Sequence, residues 1–97
     1  MKVATFIEPG KMTVTEAPVP EIQKDTDVII KTVRACVCGS DLWWFRGISK
    51  REPNSYTGHE AIGIVETVGN AVTSVKAGDF VIVPFTHGCG KCAACRA

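Results

Sequence analysis

The run Gly58-His59-Glu60-Ala61-Ile62-Gly63-Ile64-Val65-Glu66-Thr67-Val68-Gly69-Asn70-Ala71-Val72 predicts one long strand, over Gly58–Val68. Its β-branched residues favour extended backbone, and Gly69-Asn70 favours a turn at its end. Its first residue is a glycine, which leaves room for the backbone to approach a metal closely. The next two residues, His59 and Glu60, offer an imidazole and a carboxylate, which are both common zinc ligands.

The rest of the chain predicts further strands and turns. We expect strands at Val3–Ile7, Met12–Glu16, Asp27–Ala35 and Phe80–Val83, with turns at Pro9-Gly10 and Gly78-Asp79. The one predicted helix is Gly39–Arg46, with Ser40 or Asp41 as its cap and Gly47 at its end. The predicted fold class is mainly β, a small barrel with one short helix.

Composition indicates one small domain that binds neither nucleic acid nor a membrane. The 97 residues are 45% hydrophobic, and 11 basic and 10 acidic residues leave a net charge of +1 without any block of like charge. The apolar stretches are too short to span a bilayer, and early charges interrupt any secretory signal. We therefore expect a cytoplasmic protein whose five cysteines are metal ligands or buried thiols, not disulfides.

Three cysteines recur at regular spacing in Cys89-Gly90-Lys91-Cys92-Ala93-Ala94-Cys95. Thiolates spaced in this way suit one tetrahedral zinc, and three such cysteines seldom serve packing alone. A closed structural site takes four ligands, and the fourth is not among these residues. We therefore expect the chain to be the front part of a longer protein, interrupted inside a metal-binding lobe.

A second candidate cluster combines Cys38 with His59 and Glu60. Zinc with three protein ligands keeps a fourth position open for water or substrate, and an alcohol bound there loses its proton more readily. Ser40 could accept that proton, and Asp41 could orient His59 through its other ring nitrogen. Taken singly, Cys38 is better explained as a buried thiol than as a ligand, and a capping role explains Ser40 equally well. Cys36 is expected to pack in its strand and His87 to lie in a loop.

At these residues the sequence resembles the zinc-dependent alcohol dehydrogenases of the medium-chain dehydrogenase/reductase family. The resemblance rests on the run 58–72, on Cys38-Gly39-Ser40-Asp41, on Val75-Lys76-Ala77-Gly78-Asp79-Phe80-Val81 and on Cys89, Cys92 and Cys95. It implies a GroES-like, partly open β-barrel, truncated here. Residues 1–97 would be the N-terminal part of the catalytic domain and residues 86–97 the incomplete start of a structural zinc lobe. The resemblance further implies that the dinucleotide-binding domain is absent from these residues.

The resemblance also implies roles for individual residues. Cys38, His59 and Glu60 are implied ligands of a catalytic zinc, with Ser40 as the proton acceptor and Asp41 as the partner of His59. Cys89, Cys92 and Cys95 are implied ligands of a structural zinc. Phe85 and Trp43 are implied to line the substrate pocket. Two positions depart from the family pattern: Trp43 replaces a frequent relay histidine, and Gly39 replaces a frequent phosphate-binding cation. No G-x-G-x-x-G occurs, so the cofactor-binding residues are unknown.

The function implied by the resemblance is that of an NAD(P)-dependent zinc alcohol dehydrogenase. The whole protein, of which these residues would be a part, would transfer a hydride between an alcohol or polyol and NAD or NADP, with zinc as Lewis acid. We expect a homo-oligomer whose partners are small alcohols or carbonyls, and no turnover by the 97 residues alone. The alternative is an autonomous, non-catalytic β-domain that binds zinc or associates with itself.

Overall fold

The computed structural model describes residues 1–97 and consists of six strands and two short helices. The elements are β1 (Lys2–Glu8), β2 (Lys11–Glu16), β3 (Val28–Ala35), α1 (Asp41–Phe45), β4 (Ser55–Tyr56), β5 (Ala61–Val68), β6 (Phe80–Val83) and α2 (Ala93–Arg96). The strands form two three-stranded sheets, ordered β2-β1-β4 and β3-β5-β6. The predicted mainly β, partly open fold is therefore confirmed, and the strands do not close into a barrel.

The β3-β5-β6 sheet determines where the functional side chains meet. The central strand β5 runs antiparallel to both neighbours, and Ala61 at its start pairs with Ala35 at the end of β3 and with Val83 at the end of β6. The end of β3, the start of β5 and the end of β6 therefore lie at the same end of the sheet, which we call the Ala61 end. Segments far apart in sequence come together there because of strand register.

Close packing between β3 and β5 depends on a glycine in the middle of β5. A Cβ at Gly63 would lie 2.5 Å from the carbonyl oxygen of Lys31 on β3. The register of β3 against β5 also shifts twice, once between Ile29 and Ile30 and once between Thr32 and Arg34. Register shifts of this kind mark bulges, which bend a strand and increase its twist.

The core is small, because only eight of the 97 residues are buried. The most buried large side chains are Phe6 of β1, which is 2% exposed, and Val65 of β5, in the other sheet, which is 1% exposed. The ring of Trp44 on α1 meets Phe6 edge to face, with ring centroids 5.2 Å apart. Large apolar side chains such as Phe80 and Ile82 remain exposed, so much of the apolar surface of β6 is uncovered.

Some local predictions were wrong. The fold has two short helices, not one, since Ala93–Arg96 forms the additional turn α2. Ser40 does occupy the N-cap position of α1, but its side chain makes no capping hydrogen bond. Cys36, expected to pack in its strand, is exposed and lies just beyond β3.

Other local predictions are confirmed. Gly47 follows the last turn of α1 with a φ of 79°, as expected of a glycine that ends a helix. His87 lies outside any helix or strand. Of the adjacent tryptophans, Trp44 is buried and Trp43 exposed, because neighbouring helical residues point in different directions. Neither helix has the length and apolar character needed to cross a membrane.

Candidate metal centres

The first candidate centre lies at the Ala61 end of the β3-β5-β6 sheet. The donor atoms of Cys38, His59 and Glu60 all lie within 4.8 Å of one another, and all three residues are partly exposed. Cys38 comes shortly after β3, and the other two directly precede β5. The backbone N–H of Cys36 donates to the carbonyl oxygen of Glu60 at 3.2 Å, which extends the β3–β5 pairing into the cluster.

Asp41, the first residue of α1, contacts both ligand-bearing segments. Its Oδ2 accepts a hydrogen bond from the backbone N–H of Cys38 at 2.9 Å, and its Oδ1 lies 3.6 Å from Nδ1 of His59. The second distance is too long for a good hydrogen bond, so that contact is electrostatic. The Asp41 side chain is only 11% exposed, and burial strengthens the influence of its charge.

Ser40 lies between the sulfur and the imidazole. Its Oγ is 3.4 Å from Sγ of Cys38 and 3.4 Å from Nε2 of His59. The imidazole thus directs Nε2 toward the donor cluster and Nδ1 toward Asp41. A hydroxyl in this position can exchange a proton with a group that enters the cluster.

The contacts within the centre shift the pKa of Cys38 and the pKa of His59 in opposite directions. Hydrogen bonds from His59 and then from Ser40 hold the pKa of the Cys38 thiol below its ordinary value of 9.0. The hydrogen bond with Cys38, followed by the charge of Asp41, holds the pKa of His59 above 6.5, although partial burial acts in the opposite direction. The sulfur is therefore readily available as a thiolate, the form that binds metal.

The donor set fits zinc in chemistry and in spacing. Ligands about 2.0–2.3 Å from a tetrahedral zinc are separated by roughly 3.3–3.8 Å, and the donors of Cys38, His59 and Glu60 lie within 4.8 Å of one another. A small inward movement of the side chains would complete the geometry. Sulfur, nitrogen and carboxylate oxygen are also the donor types that zinc accepts.

The second candidate centre consists of Cys89, Cys92 and Cys95, which are all exposed. The Sγ atom of Cys95 lies 4.0 Å from that of Cys89 and 3.5 Å from that of Cys92. Sulfurs around a tetrahedral zinc are about 3.8 Å apart, so these spacings fit the ion. Cys92 caps α2, and Cys95 lies within that helix, which places both thiols on one helical turn.

Backbone geometry prepares Cys89 for the thiolate form. Its Sγ accepts hydrogen bonds from the N–H groups of Lys91 at 3.4 Å and of Cys92 at 3.3 Å. These donors, in that order, lower the pKa of Cys89 from 9.0 to about 7. Gly90 between the two halves of this turn has a φ of 71°, a conformation that glycine adopts without strain.

The two predicted pocket residues lie in different surroundings. Phe85 follows β6 and meets the ring of His59 edge to face, with centroids 6.3 Å apart, so it borders the first centre. Trp43 instead lines a shallow depression of about 180 Å³ with Gly39, Leu42, Arg46 and Ile48. That depression includes none of the three candidate ligands. The pocket role of both residues stays a prediction.

One residue that contacts both α1 and β4 was not predicted from the sequence. Arg51 lies in the loop between α1 and β4, which the sequence characterises only as polar. Its guanidinium packs over the ring of Trp44 and donates to the carbonyl oxygen of Tyr56. No spacing or motif identifies these partners, because the contacts depend on how the loop folds back on α1.

Comparison with known proteins identifies the family. The family model described as "Alcohol dehydrogenase GroES-like domain" matches residues 24–97. Zinc-type alcohol dehydrogenase B of Aspergillus flavus is 41% identical over 96 residues, which are 99% of this chain and 22% of the relative. An uncharacterized zinc-type alcohol dehydrogenase-like protein, AdhB of Bacillus subtilis, is 42% identical over 97 residues, 99% of this chain and 26% of the relative.

Solved structures agree with the sequence relatives. Alcohol dehydrogenase TADH from Thermus sp. ATN1 superposes with a TM-score of 0.93 at 35% identity, over 99% of this chain and 28% of that chain. The 97 residues thus span about a quarter of the length of the proteins that they match.

Proposed function

The chain belongs to the alcohol dehydrogenase GroES-like domain family of the zinc-type medium-chain dehydrogenases, and from that membership we propose that residues 1–97 form the zinc-binding part of a catalytic domain. The whole protein would transfer a hydride between an alcohol or polyol and NAD or NADP. The observation that carries this proposal is the convergence of Cys38, His59 and Glu60 at the Ala61 end of the sheet.

In this proposal Cys38, His59 and Glu60 hold a catalytic zinc. The ion would supply a Lewis acid that polarises the substrate oxygen. Asp41 keeps the imidazole of His59 oriented through its charge at 3.6 Å. The Ser40 hydroxyl, 3.4 Å from both Cys38 Sγ and His59 Nε2, receives the proton that the alcohol loses. Phe85, next to His59, and the exposed Trp43 line the substrate pocket.

The second cluster is proposed as a structural zinc site. Cys89, Cys92 and Cys95 supply three thiolates, and a closed tetrahedral site takes a fourth donor. That donor comes from outside these three cysteines. The segment has no buried side chain of its own, so a metal would supply much of the energy that orders it.

The remaining features of the proposal concern cofactor, partners and location. Zinc and NAD(P) are the cofactors, and a dinucleotide-binding domain outside residues 1–97 holds the nucleotide. The small-molecule partners are alcohols or carbonyls, and the whole protein is a homo-oligomer. A cytoplasmic location is supported by the five free thiols, four of which lie in the two candidate metal clusters.

The experiment compares the product of the native gene with residues 1–97 alone. Nicotinamide reduction is followed by absorbance with primary, secondary and polyol substrates, with NAD and with NADP. We expect turnover by the native product, none by its Cys38→Ala variant and none by residues 1–97, because hydride transfer requires the nicotinamide held against the substrate carbon.

The same experiment distinguishes the proposed dehydrogenase from the alternative, a non-catalytic zinc-binding domain. If the native product bound zinc through Cys38 and His59 but turned over no substrate, the non-catalytic zinc-binding domain would be the better description. Turnover by residues 1–97 alone at ordinary enzymatic rates, about 1–1000 per second, would contradict the proposed division of the catalytic machinery.

A further inference from the structure

We propose that Arg51 is a positioning residue that holds the two ligand-bearing segments of the first centre against each other. One segment contains Cys38 and α1, and the other contains β4 and leads to His59 and Glu60. The inference rests on the proposed metal-binding role of that centre and adds to it a residue that touches none of the donor atoms.

Two hydrogen bonds tie Arg51 to the segment that leads to His59. Its terminal guanidinium nitrogen donates to the carbonyl oxygen of Tyr56 at 2.6 Å, and its Nε donates to Oγ of Ser55 at 2.9 Å. These acceptors are the two residues of β4. Because β4 pairs with β1 at only two positions, the two bonds from Arg51 add to a short stretch of strand pairing.

The same guanidinium contacts the other segment through an aromatic ring. Its central carbon lies 4.7 Å from the centre of the Trp44 ring, a distance at which the ring attracts a cation. Trp44 is only 9% exposed and is held in turn by the edge contact with Phe6. It lies on α1, whose first residue, Asp41, contacts Cys38 and His59.

Only Thr57 and Gly58 separate Tyr56, which Arg51 holds, from His59, so the restraint on β4 reaches the imidazole through a short connection. Both the backbone N–H and the hydroxyl of Thr57 donate to the carbonyl oxygen of Ala4 on β1, at 3.0 and 3.2 Å. Gly58 then turns with a φ of 105°. A shift of Tyr56 relative to α1 would be passed through this short connection to the imidazole.

An arginine suits this position better than a lysine. The planar guanidinium can stack on an aromatic ring while its edge donates to two acceptors in a fixed geometry. An ammonium in the same place could face the ring or reach one acceptor, but it would not hold all three partners together. The three contacts of Arg51 use the ring-stacking face and two edge nitrogens.

The test compares Arg51→Gln with Arg46→Gln in the full chain, where Cys89, Cys92 and Cys95 are each replaced by Ser so that one centre remains. Arg46 is a matched control, because it adjoins α1 and its side chain makes no hydrogen bond or ion pair. Zinc affinity is measured by competition with a chromophoric chelator, and ligand geometry by the absorption of bound cobalt(II). Far-UV circular dichroism reports whether each variant is folded.

We expect Arg51→Gln to weaken zinc binding by about threefold to tenfold, at or below the lower limit seen for direct partners of metal ligands. The cobalt spectrum should also change at full loading, which a loss of overall stability would not cause. Arg46→Gln should leave both measurements unchanged. Arg51→Lys, which keeps one or two of the contacts, should give an intermediate effect.

The proposal is overturned if folded Arg51→Gln matches the parent in affinity and in cobalt spectrum. If Arg51→Gln does not fold, Arg51→Lys decides in the same way. Unfolding of both variants would make Arg51 a general stabilising residue and also overturn the proposal. Cys38→Ala separates this result from a failure of the proposed function: zinc retained by Cys38→Ala refutes the metal centre itself, whatever Arg51 does.

Discussion

Replacing Asp41 should loosen zinc at the first centre in two steps, because this carboxylate has two separable contacts. Asp41→Asn keeps an oxygen that can accept the Cys38 N–H, now bonded at 2.9 Å, but removes the charge 3.6 Å from Nδ1 of His59. Asp41→Ala removes both contacts. Loss of a residue that orients a metal-binding histidine costs about 10–100-fold in affinity.

The two contacts of Asp41 predict a smaller loss of zinc affinity for Asp41→Asn than for Asp41→Ala. We expect about tenfold weaker binding for Asp41→Asn, roughly 1.4 kcal/mol, since the long contact with His59 is electrostatic. We expect a loss near 100-fold for Asp41→Ala, since the N–H of Cys38 then also loses its partner in a largely buried place. Dissociation constants are measured by chelator competition, with Cys89, Cys92 and Cys95 replaced by Ser.

Asp27 provides the matched control for this prediction. Its Oδ2 likewise accepts backbone hydrogen bonds, from Gln23 at 3.0 Å and Lys24 at 2.9 Å, but it touches no candidate ligand. Asp27→Ala should therefore leave zinc affinity unchanged. Binding by Asp41→Ala within about twofold of the parent, or an equal loss in Asp27→Ala, would refute the positioning role of Asp41, for which a loss of at least about tenfold is expected.

Four further predictions follow from other parts of the structure. A chelator should disorder residues 87–97 and leave both sheets folded, because that tail has no buried side chain; amide exchange that stays unchanged in the tail would contradict this. In the metal-free chain, alkylation of Cys89 should fall as the pH drops below its pKa of about 7, since the reactive thiolate then gains a proton; a midpoint near 9 would contradict the role of the two N–H donors. Gly63→Ala should lower the free energy of unfolding by about 1–3 kcal/mol, because its Cβ would lie 2.5 Å from the Lys31 oxygen, whereas Gly39→Ala, which meets no atom within 4 Å, should change it little; urea unfolding compares the two. Residues 1–97 should sediment as a dimer or larger species, since Phe80 and Ile82 remain exposed on the edge strand β6; a monodisperse 10.4 kDa monomer at high concentration would contradict this.

Local sequence signals accounted for most of the strands. Runs rich in β-branched residues, together with turn signals at Pro9-Gly10, Gly69-Asn70 and Gly78-Asp79, predicted the five longer strands within a few residues of their bounds. The signals failed for β4 and α2 because two paired residues and a single helical turn are too short to show a period.

The sites were less accessible to sequence reasoning than the strands. Local spacing alone grouped Cys89, Cys92 and Cys95, whereas Cys38 was linked to His59 through a family resemblance. Their meeting depends on the register of Ala35 against Ala61, which no local pattern specifies. The contacts of Arg51 were not predicted at all, since a cation in a polar loop is usually solvated.

The two clusters differ in when they can capture a metal during folding. Cys89, Cys92 and Cys95 are neighbours in the chain, so closing a ring around zinc costs little loop entropy, and the unfolded polypeptide can already bind the ion. Cys38 and His59 lie next to the paired ends of β3 and β5, so their meeting requires non-local pairing, which carries a larger loop-closure cost. If zinc binds at the tail, as proposed, it would stabilise the native state less than its affinity suggests, because the unfolded state would share it. Zinc bound at the first centre marks a chain whose central sheet has formed.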